Sequence, residues 1–152
     1  MTLVDTSAWV EYLQGSGSAT SLALRGLIEE GAPLHTTDVI AMELLAGARD
    51  ERHVARLRRL LAHCRFVPTE GLRDFEQAAT LHRQCRRAGE TTRALACLIS
   101  VVAIRGGLPV LHSDPDLEAI ARHSELRTVG DGARRAPKKD KKKKQKGEPV
   151  PG

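Results

Sequence analysis

The chain has 152 residues, which is enough for one domain whose core needs neither disulfides nor a structural metal. Its net charge is +5, but residues 1–133 hold 15 basic and 17 acidic side chains, a net charge of −2, so bulk charge gives the domain itself no reason to bind nucleic acid. No apolar run approaches a membrane span or a signal peptide. The three cysteines are widely spaced, which predicts reduced thiols in the cytoplasm rather than disulfides or a zinc site.

Short apolar runs alternate with helical patterns as far as residue 129. Strands are predicted over residues 2–5, 33–36, 65–67, 108–111 and 126–129. A first helix is predicted directly after Asp5, and further helices over residues 19–30, 39–47, 51–63, 72–88, 93–105 and 114–122. The alternation predicts an α/β fold with a central, mostly parallel sheet of four to five short strands and helices on both faces.

The apolar positions predict which helix faces are buried. Helix 93–105 is apolar almost all round, so we expect it inside the domain, with Cys97 in the core. We expect the first helix to pack through Trp9, Val10 and Leu13. Helix 72–88 repeats an apolar pattern at Leu72, Phe75, Ala79, His82 and Cys85. The four arginines of helix 51–63 are expected to form a solvated face, with contact to a nucleic acid as the alternative.

The pattern stops at Gly130, and residues 134–152 form a basic segment. It holds seven lysines, whereas residues 1–133 hold none. Its composition predicts a disordered tail. A solubilising end, a flexible clamp on nucleic-acid phosphates and an added segment are all compatible with it.

Four acids are candidates for a site at the carboxyl edge of the sheet. Asp5 and Asp114 each follow a predicted strand, and an aspartate there is also a good helix N-cap, with Pro115 at the first helical position. Asp116 follows in the first turn of that helix, where an acid suits the helix dipole.

Glu43 lies within an apolar segment, and buried carboxylates are seldom unpaired. Either its helix face meets solvent or a cation meets it, and a metal ion and Arg93 are both possible. Oxygen-rich clusters of this kind suit Mg²⁺ or Mn²⁺, and such ions can assist hydrolysis of a phosphodiester. His112 could also lie near the site, although we expect a core or rim position for it.

Four segments in order resemble the PIN domain, and more specifically the VapC toxins of bacterial toxin–antitoxin modules. They are Val4–Trp9, Thr36–Leu44, Thr92–Ile99 and Leu111–Leu117. Each segment alone is a weak indicator of the family, but the four in this order and spacing are a specific one. The resemblance covers residues 1 to about 130. It implies a Rossmann-like PIN domain over residues 1–133.

The resemblance also implies an activity and partners. The activity is that of a Mg²⁺-dependent endoribonuclease, with Mn²⁺ as the alternative metal. The partners are a VapB-type antitoxin, an RNA substrate, and a second copy of the chain or a toxin–antitoxin hetero-oligomer. The implied metal and catalytic acids are Asp5, Glu43, the position of Ala96, Asp114 and Asp116. Supporting roles fall to the hydroxyls of Thr6, Ser7 and Ser113, and to Arg93, which could contact a phosphate or neutralise the acids.

Ala96 departs from the family pattern, which has an aspartate just before the Cys-Leu-Ile segment. Three explanations are open: an introduced substitution that silences the chain, a natural exchange that Asp116 compensates, or a natural pseudoenzyme. We favour the first and expect a weakened or inactive nuclease.

Two rival functions come from other classes. A phosphoryl-accepting receiver domain also carries acids at strand ends, but it needs a lysine near the site, and residues 1–133 have none. A catalytically inactive binding module that engages antitoxin or RNA stays open because of Ala96. An antitoxin helix could cover Trp9, Tyr12 and Leu13 while one of its arginines plugs the acidic site.

Overall fold

The computed structural model describes residues 1–129, so the predicted tail lies outside the described residues. Within residues 1–129 the chain forms five strands and seven helices. In order they are β1 (Thr2–Val4), α1 (Thr6–Leu13), α2 (Ala19–Glu29), β2 (Leu34–Thr36), α3 (Asp38–Ala46), α4 (Glu51–Ala62), β3 (Arg65–Phe66), α5 (Gly71–Arg87), α6 (Ala94–Gly106), β4 (Val110–Leu111), α7 (Pro115–Arg122) and β5 (Thr128–Val129). Every predicted element is present, and the strands are shorter than predicted.

The sheet is entirely parallel, with the strand order β3-β2-β1-β4-β5. The chain moves outward from β1 to β3 and then returns to the other side of β1 to form β4. This order creates a topological switch point between β1 and β4, where open α/β sheets place their sites. The backbone N–H of Asp5 donates to the Leu111 carbonyl at 3.0 Å, which ties the ends of these two strands together.

The helices cover both faces of the sheet, as predicted. Right-handed crossovers place α1–α4 on one face and α5–α7 on the other. Within these groups α1 packs on α2 and α3, and α5 and α7 pack on α6, while α3 also contacts α6. The central helix α6 is buried from Ala96 to Ala103, with Cys97 in the core. It ends at Gly107, whose positive φ of 63° favours glycine. None of the helices within residues 1–129 is long and apolar enough to cross a membrane.

Two of the predicted helix faces are wrong. In α5, Leu72 and Phe75 are 74% and 52% exposed; Cys85 is buried as predicted, but the other buried positions are Asp74, Ala78 and Leu81. In α1, Trp9 is buried as predicted, but Val10 and Leu13 lie at the surface. Apolar spacing identified these helices, but it did not identify which side faces the core.

The ion pair between Asp74 and Arg105 explains the orientation of α5. Asp74 is buried, and its carboxylate accepts from the Glu70 backbone N–H at 2.8 Å and from Arg105 Nη2 at 2.8 Å. Arg105 also donates to the Pro68 carbonyl at 2.8 Å. Burial acts to raise the pKa of Asp74, but these hydrogen bonds and the Arg105 charge outweigh it and lower the pKa. The pair therefore joins the start of α5 to the end of α6.

Removing Arg105 should destabilise the fold strongly, because it leaves the Asp74 carboxylate buried without its counter-ion. We expect Arg105→Met to lower the free energy of unfolding by about 3 kcal/mol, measured by urea denaturation at pH 7. Adding Asp74→Asn should restore part of the loss, since the amide oxygen still accepts from the Glu70 N–H. A loss below about 1 kcal/mol in the single variant would contradict a structural role for the pair.

The same pair should make stability depend on acid pH. The folded-state pKa of Asp74 is depressed, so its contribution is present above the unfolded pKa of about 4 and is lost as pH falls through the lower folded value.

Candidate active site

Asp5 is both a helix cap and the most buried acid of the predicted site. It is the N-cap of α1, and its Oδ2 accepts from the Ser7 backbone N–H at 3.0 Å and from the Ser7 hydroxyl at 2.6 Å. The residue is only 3% exposed. Burial and, to a lesser extent, the charge of Asp114 raise the pKa of Asp5, and the two bonds from Ser7 only partly oppose this. The two interpretations made from the sequence, cap and site residue, are therefore compatible.

Glu43 reaches the same edge of the sheet from α3. Its Oε1 accepts from the Thr6 hydroxyl at 2.8 Å, and its Oε2 lies 3.8 Å from Arg93 Nη1. The side chain is 19% exposed. The cation expected beside this partly buried acid is thus Arg93 in the described structure.

Asp114 and Asp116 use their carboxylates to hold helix starts. Asp114 is the N-cap of α7, with Pro115 in the first turn, and it accepts from the Asp116 backbone N–H at 2.9 Å. Asp116 Oδ2 in turn accepts from the backbone N–H of Arg93 at 2.9 Å. Arg93 is the N-cap residue of α6 and has no side-chain cap of its own, so Asp116 supplies that cap from another helix.

Arg93 joins three of the four acids. Its Nε donates to Asp116 Oδ2 at 3.0 Å, its Nη2 forms an ion pair with Asp114, and its Nη1 faces Glu43. Partial burial acts to lower the pKa of Arg93, but the three carboxylates outweigh it and raise the pKa. The side chain is nevertheless 55% exposed, so the guanidinium covers the acids from the solvent side.

Ala96 lies in the first turn of α6, three residues after Arg93. It is buried and packs with the core, and its carbonyl accepts from the Ser100 hydroxyl at 2.8 Å. The helix start favours a negative charge at this position. An aspartate there would be buried close to Arg93 and would need a cationic partner.

The hydroxyl groups of the site have different roles. Ser7 Oγ donates to Asp5 and accepts from the Ser113 backbone N–H at 3.0 Å, so it links the segments that follow β1 and β4. Ser113 contributes through this backbone group, and its side chain is exposed. His112 is buried, as predicted, and its Nδ1 accepts from the Asp114 N–H at 3.0 Å. Burial lowers the pKa of His112.

The oxygen atoms of the site are of the type that binds a divalent cation, but the Arg93 guanidinium lies among them. Carboxylate and hydroxyl oxygens are what Mg²⁺ and Mn²⁺ prefer. In the described conformation no three acidic, histidine or cysteine side chains of residues 1–129 converge as a metal cage. The guanidinium occupies one oxygen each of Asp114 and Asp116, which such an ion would need.

The fold and the acids at the switch point define a PIN domain. The PIN-domain family model matches residues 2–123, and the chain belongs to this family.

Within that family the chain belongs with the VapC ribonucleases. It is 42% identical over 131 residues to ribonuclease VapC11 of Mycobacterium tuberculosis, and the match covers 85% of this chain and 98% of that protein. VapC ribonuclease Mb1587 of Mycobacterium bovis matches to the same extent.

A solved structure shows the same fold at low identity. VapBC2 from Rickettsia felis, bound to a promoter DNA fragment, superimposes with a TM-score of 0.67 at 14% identity, covering 84% of this chain and 96% of that one. The likeness supports the PIN fold, and the sequence match supports the VapC assignment.

The structure brings most of the predicted site residues together. It also shows the position of Arg93, which the sequence left open. Asp5, Glu43, Asp114 and Asp116 are connected through Ser7, Thr6 and Arg93. The central position of Arg93 was only one of its predicted roles. The signal available in the sequence was that an arginine directly precedes the apolar helix that begins at this acidic edge.

Neutralising Asp5 should stabilise the metal-free protein at high pH. Because the folded-state pKa is raised, Asp5 binds its proton more tightly in the folded state, and stability falls as pH rises from the unfolded toward the folded pKa. With a chelator present, we expect Asp5→Asn to raise Tm by on the order of 3 °C at pH 8 and to converge with the parent near pH 4.

Asp50→Asn is a matched control, since Asp50 caps α4 at an exposed site. It should show no such gain at pH 8. A Tm of Asp5→Asn below that of the parent at pH 8 would contradict the burial argument.

Proposed function

We propose that the protein is a metal-dependent endoribonuclease and the toxin of a VapBC-type module, with a site weakened by Ala96. The observation that carries this proposal is the meeting of four acids from three separate segments at the switch point of the sheet. The names of its 42% identical relatives, which are ribonucleases, support the same reaction.

The proposed metal ligands are Asp5, Asp114 and Asp116, with position 96 as a further ligand position that the alanine leaves empty. Mg²⁺ is the expected ion and Mn²⁺ a substitute. When bound, such an ion supplies an activated water and neutralises charge on the phosphodiester. Glu43 is the fourth acid and is the expected group to orient that water.

The remaining residues position these acids. Thr6 fixes one oxygen of Glu43, and Ser7 fixes one oxygen of Asp5, so both carboxylates keep a second oxygen for the reaction. Ser113 holds Ser7 through its backbone N–H. Preorganised acids of this kind need little rearrangement when substrate arrives.

An antitoxin is the proposed partner. A cleft of about 390 Å³ opens beside the acids, and its walls include Thr6, Val10, Leu13, Glu43 and Leu44. Its apolar wall is exposed at Val10 and Leu13, which suits the apolar face of a partner helix. The expectation that such a helix covers Trp9 is wrong, because Trp9 is buried within the domain. Relatives by fold include VapBC and FitAB complexes with DNA.

Self-association is a second proposed assembly. Phe66, Leu72 and Phe75 are exposed where β3 leads into α5, and an apolar group of this kind suits a second copy of the chain or another subunit. The three cysteines are free and fit a reducing environment such as the cytoplasm, where RNA and an antitoxin are available.

A non-catalytic binding module is the second candidate function. Two observations favour it: position 96 carries no acid, and Arg93 already balances three of the carboxylates. Such a protein would bind antitoxin or RNA without cutting.

An RNA-cleavage assay with Mg²⁺ or Mn²⁺ on the parent and on Ala96→Asp separates the two candidates. We expect the variant to gain at least about tenfold in cleavage rate, because the added carboxylate completes the ligand set. Adding Asp5→Asn to the variant should abolish the gain. Metal-dependent cleavage by neither protein, with both folded and several RNAs tried, would favour the binding module.

A further inference from the structure

We propose that the Arg93 side chain occupies the cation position of the acid cluster and that a divalent ion binds only after displacing it. This inference rests on the proposed metal-dependent function, and it assigns Arg93 the role of a gate within the chain itself. It is a positioning role, because the guanidinium acts on the carboxylates that would hold the ion.

Each nitrogen of the guanidinium lies beside a different carboxylate. Nε pairs with Asp116 at 3.0 Å, Nη2 pairs with Asp114, and Nη1 lies 3.8 Å from Glu43. Two of the five guanidinium N–H groups are thus hydrogen-bonded to carboxylates, and the Nη1 contact with Glu43 is a longer ion pair. Arg93 behaves as a cation bound by three acids.

The same contacts conflict with a bound metal ion. Asp114 Oδ1 accepts the Asp116 N–H while its Oδ2 pairs with Arg93, and Asp116 Oδ2 takes two bonds from Arg93. An ion that used these oxygens would also stand within a few ångströms of a positive charge, which is unfavourable in a partly buried site. Metal binding through Asp114 Oδ2 and Asp116 Oδ2 and the observed arginine position therefore exclude one another.

Arg93 is nevertheless able to leave. Its side chain is 55% exposed, so it can turn into solvent without opening the core. Its backbone N–H donates to Asp116 independently of the guanidinium, which helps to hold the start of α6. Substitution at position 93 therefore removes the cation but retains the helix cap.

The alanine at position 96 makes it harder for a divalent ion to displace Arg93. The cluster has four carboxylates and one guanidinium, whereas an aspartate at position 96 would add a fifth negative charge close to the same cation. A cluster with fewer carboxylates attracts a divalent ion less strongly, so the competition between the ion and Arg93 shifts in favour of Arg93. We therefore expect metal affinity to rise both on removal of Arg93 and on Ala96→Asp.

The test measures Mn²⁺ binding without RNA, by electron paramagnetic resonance of the free ion and by calorimetry. We expect Arg93→Met to bind Mn²⁺ at least tenfold more tightly than the parent. Arg83→Met is the matched control: Arg83 is an exposed arginine whose side chain bonds only to Thr80 within residues 1–129, so its loss changes the net charge equally and should leave affinity unchanged.

Two further variants keep the test decisive. Arg93→Lys retains the charge but cannot bridge three carboxylates, so it should bind Mn²⁺ with intermediate affinity, and it serves if Arg93→Met does not fold. In Arg93→Ala, millimolar methylguanidinium should weaken Mn²⁺ binding by competition, an effect that a purely structural arginine would not produce. Unchanged affinity on substitution of Arg93, or no Mn²⁺ binding in any position-93 variant, would overturn the inference.

The result of this test can be distinguished from the result of the test of the proposed function. Tighter Mn²⁺ binding in Arg93→Met, with no RNA cleavage by any variant, would support the gate and refute the nuclease. Cleavage by Ala96→Asp, with Mn²⁺ affinity unaffected by Arg93→Met, would support the nuclease and refute the gate.

Discussion

The repulsion among carboxylates at one edge of the sheet is the constraint on which the site depends. Four acids meet where β1 and β4 end, and a partly buried cluster of like charges needs compensation. The chain supplies it with a guanidinium, with hydroxyl donors and with helix starts. Asp5 and Asp114 cap their own helices, and Asp116 caps α6, so the bonds that hold the acids also hold the fold. The stability of the fold and the proposed chemistry therefore depend on the same carboxylates.

The fold followed from patterns that are local in sequence. Alternating apolar runs and helical segments gave all five strands and seven helices of residues 1–129, and the all-round apolar character of α6 gave its burial. The failure at α5 has a physical cause. Leu72 and Phe75 are apolar but exposed, and the face that packs includes the charged Asp74, because its partner Arg105 lies on another helix. Apolar spacing carries no information about a partner that is distant in sequence.

The meeting of these acids at one edge of the sheet was predictable for a related reason. Asp5 and Asp114 follow strands of a parallel sheet, whose carboxyl ends necessarily lie together. Glu43 was conspicuous as a charge in an apolar segment. The position of Arg93 was predictable only as one of several alternatives, since a long side chain can reach several places, and only the tertiary structure shows that three carboxylates converge on it. Nor does the structure give a reason for the alanine at position 96, which simply packs in the core.

The capping role of the acids makes the backbone a reporter of the site. The amide hydrogens of Ser7, Arg93 and Asp116 are each held by one of the site carboxylates. Their exchange with solvent therefore depends on whether those oxygens stay in place, while exchange within the buried middle of α6 depends on unfolding of the whole domain. Any ligand that recruits Asp114 or Asp116 away from these amides would speed exchange at the first turns of α6 and α7 and leave the rest of the domain protected.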